Sequence, residues 1–165
     1  MDSAVAPVTS DRDSWCTPQW LTKLLPVVDL DPCSNERSTV KARTAYRLDR
    51  GEDGLALPWV GSIFVNPPFS NILPWAQKLN AEPVVGAAFL VNVDPSTAWW
   101  HELTKRLRYA LFFRRRIQFA PPGGVKPSTN SKPQALLMDP AFESMITAVD
   151  CGRLYEFGSR WEVLP

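Results

Sequence analysis

Asn66-Pro67-Pro68-Phe69 is the stretch of this chain best suited to do chemistry. Pro67 and Pro68 have no N–H and a fixed φ, so they stiffen the backbone and end any strand that runs into them. The Asn66 side-chain oxygen and the Pro67 carbonyl then form a pair of fixed acceptors beside the aromatic face of Phe69. Two such acceptors suit the task of receiving both N–H bonds of one amino group. An amino nitrogen on an aromatic ring is a poor nucleophile because its lone pair is delocalised. Drawing both hydrogens toward acceptors favours a tetrahedral nitrogen, which carries positive charge when it attacks. Hydrogen bonds to charged groups are worth roughly 1.5–3 kcal/mol. They strengthen as charge develops, which is what acceleration requires. Asn is not a strong base, so its role is positioning and electrostatics. Phe69 supplies a stacking face.

Ile63-Phe64-Val65 reads as a buried strand, which puts Asn66 at a strand's C-terminal end, where open α/β sheets bind ligands. Upstream, Trp15-Cys16-Thr17-Pro18 opens a helix with Thr17 as cap, Pro18 in the first turn and an apolar stripe of Trp20, Leu21, Leu24 and Leu25. Trp15 also suits a hydrophobic staple. Val27-Val28-Asp29-Leu30 reads as a short strand ended by the polar turn Asp31-Pro32-Cys33-Ser34-Asn35, in which Asp31 fits an Asx turn. Residues 36 to 50, with few apolar positions, read as helix or loop, and Glu52 to Leu55 as a turn. Downstream, Leu73 to Leu79 is a short helix and Val84 to Val93 the longest apolar strand. Ser96 caps a helix carrying Trp99, Trp100, Leu103 and Leu107, in which His101 reads as an ordinary structural histidine. Tyr109 to Phe113 and Gln134 to Met138 are strands that form an antiparallel hairpin across the loop Ala120 to Pro133. Ile117-Gln118-Phe119 extends the first of these. Phe142 to Val149 is helix or strand, and Leu154 to Phe157 a last strand. Alternating strands and helices with a terminal hairpin predict an α/β sheet, mostly parallel, with an antiparallel edge.

The 165 residues fit one domain of 14–165 behind a disordered arm at 1–13. Hydrophobic content of 45% is too high for a disordered chain, so the 16 prolines indicate irregular connections. A net charge of +1 names no partner. No apolar run approaches a membrane span and no signal peptide is visible, which gives a cytoplasmic expectation. Three separated cysteines, Cys16, Cys33 and Cys151, and the single His101 do not make a metal site. Each Cys reads as a buried free thiol.

Asn66-Pro67-Pro68-Phe69 matches the (Asp/Asn)-Pro-Pro-(Tyr/Phe) signature of enzymes that methylate an exocyclic or amide nitrogen. With it, in order, stand Trp15-Cys16-Thr17-Pro18, Leu30-Asp31-Pro32-Cys33-Ser34, Asp53-Gly54-Leu55, Thr97-Ala98-Trp99-Trp100 and Arg116-Ile117-Gln118-Phe119. Over most of residues 15 to 138 the chain resembles the phage-type DNA N6-adenine methyltransferases, which use S-adenosylmethionine. The resemblance implies a Rossmann-like, seven-stranded methyltransferase sheet and a catalytic Asn66, Pro67, Pro68 and Phe69. It implies a cofactor site of Trp15, Thr17, Pro18, Asp31, Pro32, Cys33, Ser34, Asp53 and Asn66, with Asp31 and its turn at the methionine end. If phage-encoded, the protein would work in a bacterial host's cytoplasm. The substrate would be an extruded adenine: stacking on Phe69, worth about 1–3 kcal/mol, offsets part of the few kcal/mol of unstacking.

The chain departs from the pattern in places. Asp31-Pro32-Cys33-Ser34-Asn35 stands where a Gly-rich cofactor loop is usual. Asp49 is the nearest candidate acid for the ribose hydroxyls, and Phe69 replaces the commoner Tyr. No separate target-recognition domain fits, so sequence preference must come from loops such as Ala120 to Pro133. Residues 105 to 116 carry Lys105, Arg106, Arg108, Arg114, Arg115 and Arg116 with no acid. Lys105, Arg106 and Arg108 suit a solvated helix face, whereas Arg114, Arg115 and Arg116, with Lys126, suit DNA phosphates. Cytosine N4 and protein glutamine are alternative acceptors, and a catalytically inactive DNA-binding module with this fold is a non-enzymatic alternative.

Overall fold

The computed structural model describes residues 15–119, 131–143 and 152–156. The expected arm, Lys126, Cys151 and most of the Ala120–Pro133 loop therefore lie outside the described residues. Chain order is α1 (Gln19–Thr22), β1 (Val28–Ser34), β2 (Ala42–Arg47), β3 (Gly61–Val65), α2 (Leu73–Ala81), β4 (Val84–Asn92), α3 (Ala98–Thr104), β5 (Tyr109–Phe113), β6 (Gln134–Met138), α4 (Pro140–Glu143) and β7 (Gly152–Glu156). The strands join in one sheet in the order β2-β1-β3-β4-β6-β5-β7. Pairings from β2 through β4 are parallel, and those from β4 through β7 are antiparallel. The result is a mixed α/β sheet with an antiparallel edge. The predicted hairpin forms, but β6 inserts between β4 and β5, and β7 closes the edge.

Period-2 alternation explains the layers. Ile63, Val65, Ala87, Phe89 and Val91 face one side and pack with Trp75, Leu79, Trp100 and Leu103 of α2 and α3. Phe64, Ala88 and Leu90 face the other side with Leu21, Leu25, Ile117, Phe119 and Phe142. The fully buried Trp59 stacks on Trp75 with ring centroids 6.0 Å apart. Removing either indole should cost about 3–5 kcal/mol. Gly61 starts β3 at φ 74, and a Cβ there would lie 2.5 Å from the Asp29 carboxylate, which accepts from the Ser62 N–H and hydroxyl.

Several elements differ from the sequence expectation. Residues 42–47 form an edge strand rather than helix or loop. Being paired on one side and largely exposed, β2 needs no apolar stripe. Pro18, extended at φ -65 and ψ 145, is the cap residue of α1, and no side chain caps the helix. Thr97 holds that position on α3, while Ser96 donates to Asp94. Residues 114–119 do not extend β5. The exposed Arg114–Arg116 bend leaves the sheet, and the Ile117 N–H donates to the buried Gln134 side chain at 3.0 Å instead of to a strand. Asp31 to Ser34 lie inside β1, with a register shift against β2, rather than in a turn after it.

Candidate active site

β1 pairs on one side with β2 and on the other with β3, and β3 pairs in turn with β4. The chain therefore leaves β1 in one direction across the sheet and β3 in the other. That reversal makes a crevice at the strands' C-terminal ends, the place where open α/β sheets bind ligands. Asp31 and Asn66 lie on the two strands beside it: Asp31 is midway along β1, next to Leu30, which is in register with Ile63, and Asn66 directly follows β3.

Asn66 is half-buried, and its Nδ2 donates to Thr17 Oγ1 at 3.2 Å. Pro67 behind it is buried, which fixes the carbonyl expected to act with Asn66. Phe69 lies half-buried across the ends of both apolar layers and meets Phe119 edge-on, with ring centroids 5.6 Å apart at 83°.

Asp31 is 3% exposed. The Cys33 N–H donates to it at 3.2 Å and the Ser38 hydroxyl at 3.3 Å, and Ser34 bonds to it as well. Burial outweighs these bonds and pushes its pKa up to about 6. No described Lys or Arg pairs with it. A buried carboxylate held by hydroxyls and an amide, with no counter-charge, is suited to a cationic ligand group.

Two contacts bring the other expected segments to the C-terminal half of β1 and the residue after it. Cys16 Sγ donates to Asn35 Oδ1 at 3.2 Å, tying the Trp15–Pro18 segment to the end of β1. Gly54 lies so close to β1 that a Cβ on it would fall 1.8 Å from the Pro32 carbonyl oxygen, which sets the Asp53-Gly54-Leu55 turn against Pro32. Within that turn, Asp53 Oδ1 accepts from the Leu55 N–H at 2.9 Å. Cys33 is half-buried and in no disulfide, and Trp15 packs half-buried on the α1 side of the sheet. Asp49 follows β2 at the same sheet edge, but its carboxylate is engaged by the Arg47 guanidinium at 3.0 Å.

The Asp31 shift gives a signed pH prediction. Its folded pKa, about 6, lies above the ordinary carboxylate value of 3.8. Between those two values the folded state holds more protons than the unfolded chain, so stability rises as pH falls through that window. The carboxylates whose pKa is lowered, such as Asp94 and Glu102, act in the opposite sense, below their ordinary range. Asp31→Asn should therefore raise the Tm relative to the parent at pH 7, with the gap closing toward pH 4. A Tm difference that does not change with pH would contradict the assigned ionisation.

Arg114, Arg115 and Arg116 are exposed in the bend that follows β5. β5 and β4 both run antiparallel to β6, so this bend emerges at the same sheet edge as Asn66. Sequence reasoning missed Gln134, whose buried amide joins Ile117 to Asn92 Oδ1 (3.1 Å) and to the Lys132 carbonyl. A polar residue opening the apolar run Ala135-Leu136-Leu137-Met138 was its only signal. Ser38 was missed as well, and so was the Phe119–Phe69 contact.

Asn66-Pro67-Pro68-Phe69 thus stands at the C-terminal end of β3, beside the point where the strand order reverses. The sequence profile of the family described as DNA N-6-adenine-methyltransferase (Dam) matches residues 6–160. The chain belongs to that family. It is also 29% identical, over 140 residues, to the DNA N-6-adenine-methyltransferase of Haemophilus phage HP1 (strain HP1c1), covering 78% of this chain and 79% of the relative. The enzyme is a DNA N6-adenine methyltransferase, with DNA as its substrate. Family membership decides among the acceptors that the Asn66 motif alone leaves open. Among the described residues no cluster of His, Cys, Asp or Glu could hold a metal, and no helix is long and apolar enough to cross a membrane.

Proposed function

We propose that this methyltransferase uses S-adenosylmethionine to methylate N6 of an adenine extruded from the duplex. What supports the reading is the placement of Asp31 on β1 and Asn66 at the end of the neighbouring β3, with Thr17 bonded to Asn66 and Gly54 against Pro32. The cofactor supplies an electrophilic methyl group. Asp31, Ser34 and the Thr17-Pro18 segment would hold its methionine end, with the buried carboxylate neutralising the ammonium. The Asp53 turn would lie near its adenine, and Trp15, Pro32 and Cys33 would wall the site. Asn66 Oδ1 and the Pro67 carbonyl would accept the two N6–H bonds, with Phe69 stacked on the base and Pro68 keeping the loop rigid. The N6 proton leaves to solvent after transfer, because neither Asn66 nor a proline carbonyl is basic enough to keep it. With a phage relative and DNA as substrate, the proposed place of action is the cytoplasm of a bacterial host.

Purified protein incubated with S-adenosylmethionine and unmethylated DNA should yield N6-methyladenine by nucleoside mass spectrometry. N4-methylcytosine in its place would overturn the reading. Cofactor binding should need the Asp31 carboxylate, so calorimetric affinity should fall below about pH 6 and weaken at least several-fold in Asp31→Ala. Unchanged affinity in a folded variant would remove Asp31 from the site.

The Arg114–Arg116 bend, with Lys126, would follow the DNA backbone. Neutralising the triplet should make the log–log salt dependence of DNA affinity shallower, by up to about 2.7 for three phosphate contacts. An unaltered slope would leave these residues as surface charge.

A further inference from the structure

We propose that Thr17 is a positioning residue for the Asn66 amide: its hydroxyl accepts the Asn66 NH2 and so turns Oδ1 toward the substrate amino group. The inference rests on the proposed use of Asn66 as an N6–H acceptor. A primary amide has two ends of nearly equal shape and opposite polarity. Rotated by half a turn, Asn66 would present N–H donors to an amino group that is itself a donor, and the acceptor pair with the Pro67 carbonyl would be lost. Nothing in the Asn-Pro-Pro-Phe stretch itself decides between the two orientations.

The contact that holds the observed orientation comes from 49 residues away, and because a hydroxyl can also donate, it selects Nδ2 when the Thr17 proton is directed away from Asn66. Asn66 Nδ2 donates to Thr17 Oγ1 at 3.2 Å. Thr17 is 7% exposed, and it is anchored on both sides. Pro18 follows it in a fixed extended conformation, and Cys16 before it bonds to Asn35. The helix does not use Thr17, since no side chain caps α1. With Nδ2 engaged, Oδ1 is the free end of the amide and accepts no hydrogen bond among the described residues. This arrangement also separates Asn from Asp at position 66. A carboxylate offers an oxygen in either orientation and has no need of the threonine to orient it.

The test is a double-mutant cycle read by single-turnover methylation at saturating cofactor and DNA. Thr17→Val keeps the shape and removes the acceptor; it should slow methyl transfer at least tenfold. Thr17→Ser should stay within about threefold of the parent. In an Asn66→Asp background, Thr17→Val should cost less than about threefold. Thr17→Ala provides the same comparison should the valine variant fold poorly. A second readout is independent of activity: the Asn66 side-chain NH2 signals of the cofactor-free protein, identified by their loss in Asn66→Asp, should move in Thr17→Val and return in Thr17→Ser. Equal losses in both backgrounds, or NH2 signals that do not move, would overturn the assignment. Absence of N6-methylation by the parent would instead sink the proposed function, and the amide signals would still decide whether Thr17 orients Asn66.

Discussion

Asn66→Ala should slow single-turnover methylation by on the order of a hundredfold or more and leave cofactor affinity within a few-fold of the parent. The size follows from what the side chain does at each stage. In the proposed role Oδ1 accepts an ordinary N–H bond from a weakly polarised amino group in the ground state. In the transition state the nitrogen carries developing positive charge, and the same bond becomes charge-assisted. Only that difference slows the chemical step when it is lost, and each 1.4 kcal/mol corresponds to about tenfold. Loss of positioning adds to it, because the amino group is then held by the Pro67 carbonyl alone. The variant also leaves the nearly buried Thr17 hydroxyl without its Asn66 partner, a small stability cost separable by a melting curve. Asn66→Asp should keep part of the activity, since an oxygen remains in place. Near-normal chemistry in Asn66→Ala would reduce Asn66-Pro67-Pro68-Phe69 to a structural turn.

What could be read ahead of the structure depended on how local its cause was. β3, β4, β5 and β6 announce themselves as apolar runs bounded by Pro, Asp or Arg, because buried central strands need side chains that pack on both faces. β2 does not, because an edge strand exposed on its outer side can be built from Arg43, Thr44 and Arg47. The members of the proposed site can be named one by one from the sequence, but the contacts between them cannot. The Thr17–Asn66 bond, the Gln134 link to Ile117 and the Phe69–Phe119 edge contact join residues far apart in the chain. Thr17 shows the difference well. Its local sequence context indicates a helix cap, yet the adjoining Pro18 takes the cap position and frees the hydroxyl for Asn66. Asp31 was read as a turn residue from its neighbours, whereas its burial inside β1 is what raises its pKa.

Gly54→Ala should be the most damaging single-methyl change near the cofactor side of the crevice, and its sign is a clean test. At a position with ordinary backbone and open space, Gly→Ala stabilises by about 0.4–1 kcal/mol through the unfolded chain. Gly54 has no positive φ to make alanine strained. Space is the obstacle: the new Cβ would lie 1.8 Å from the Pro32 carbonyl oxygen, 2.9 Å from its carbon and 3.1 Å from the Trp75 ring. None of these can yield cheaply. Pro32 is inside β1, between the paired Asp31 and Ser34, and Trp75 is stacked on the fully buried Trp59. Nor can the glycine move away freely, because its carbonyl accepts from Trp59 Nε1 at 2.7 Å. Relief therefore means lifting the Asp53-Gly54-Leu55 turn off β1 and weakening the Trp59 anchor together. Overpacking of this kind costs about 3 kcal/mol, so the Tm should fall by roughly 6–12 °C for a chain of this size. Because the lifted turn forms one wall of the proposed cofactor site, calorimetric affinity for S-adenosylmethionine should fall at least tenfold in protein that is still folded at the assay temperature. A Gly54→Ala protein with an unchanged or raised Tm would show that the turn does not pack on Pro32, and the cofactor site built on that contact would have to be redrawn.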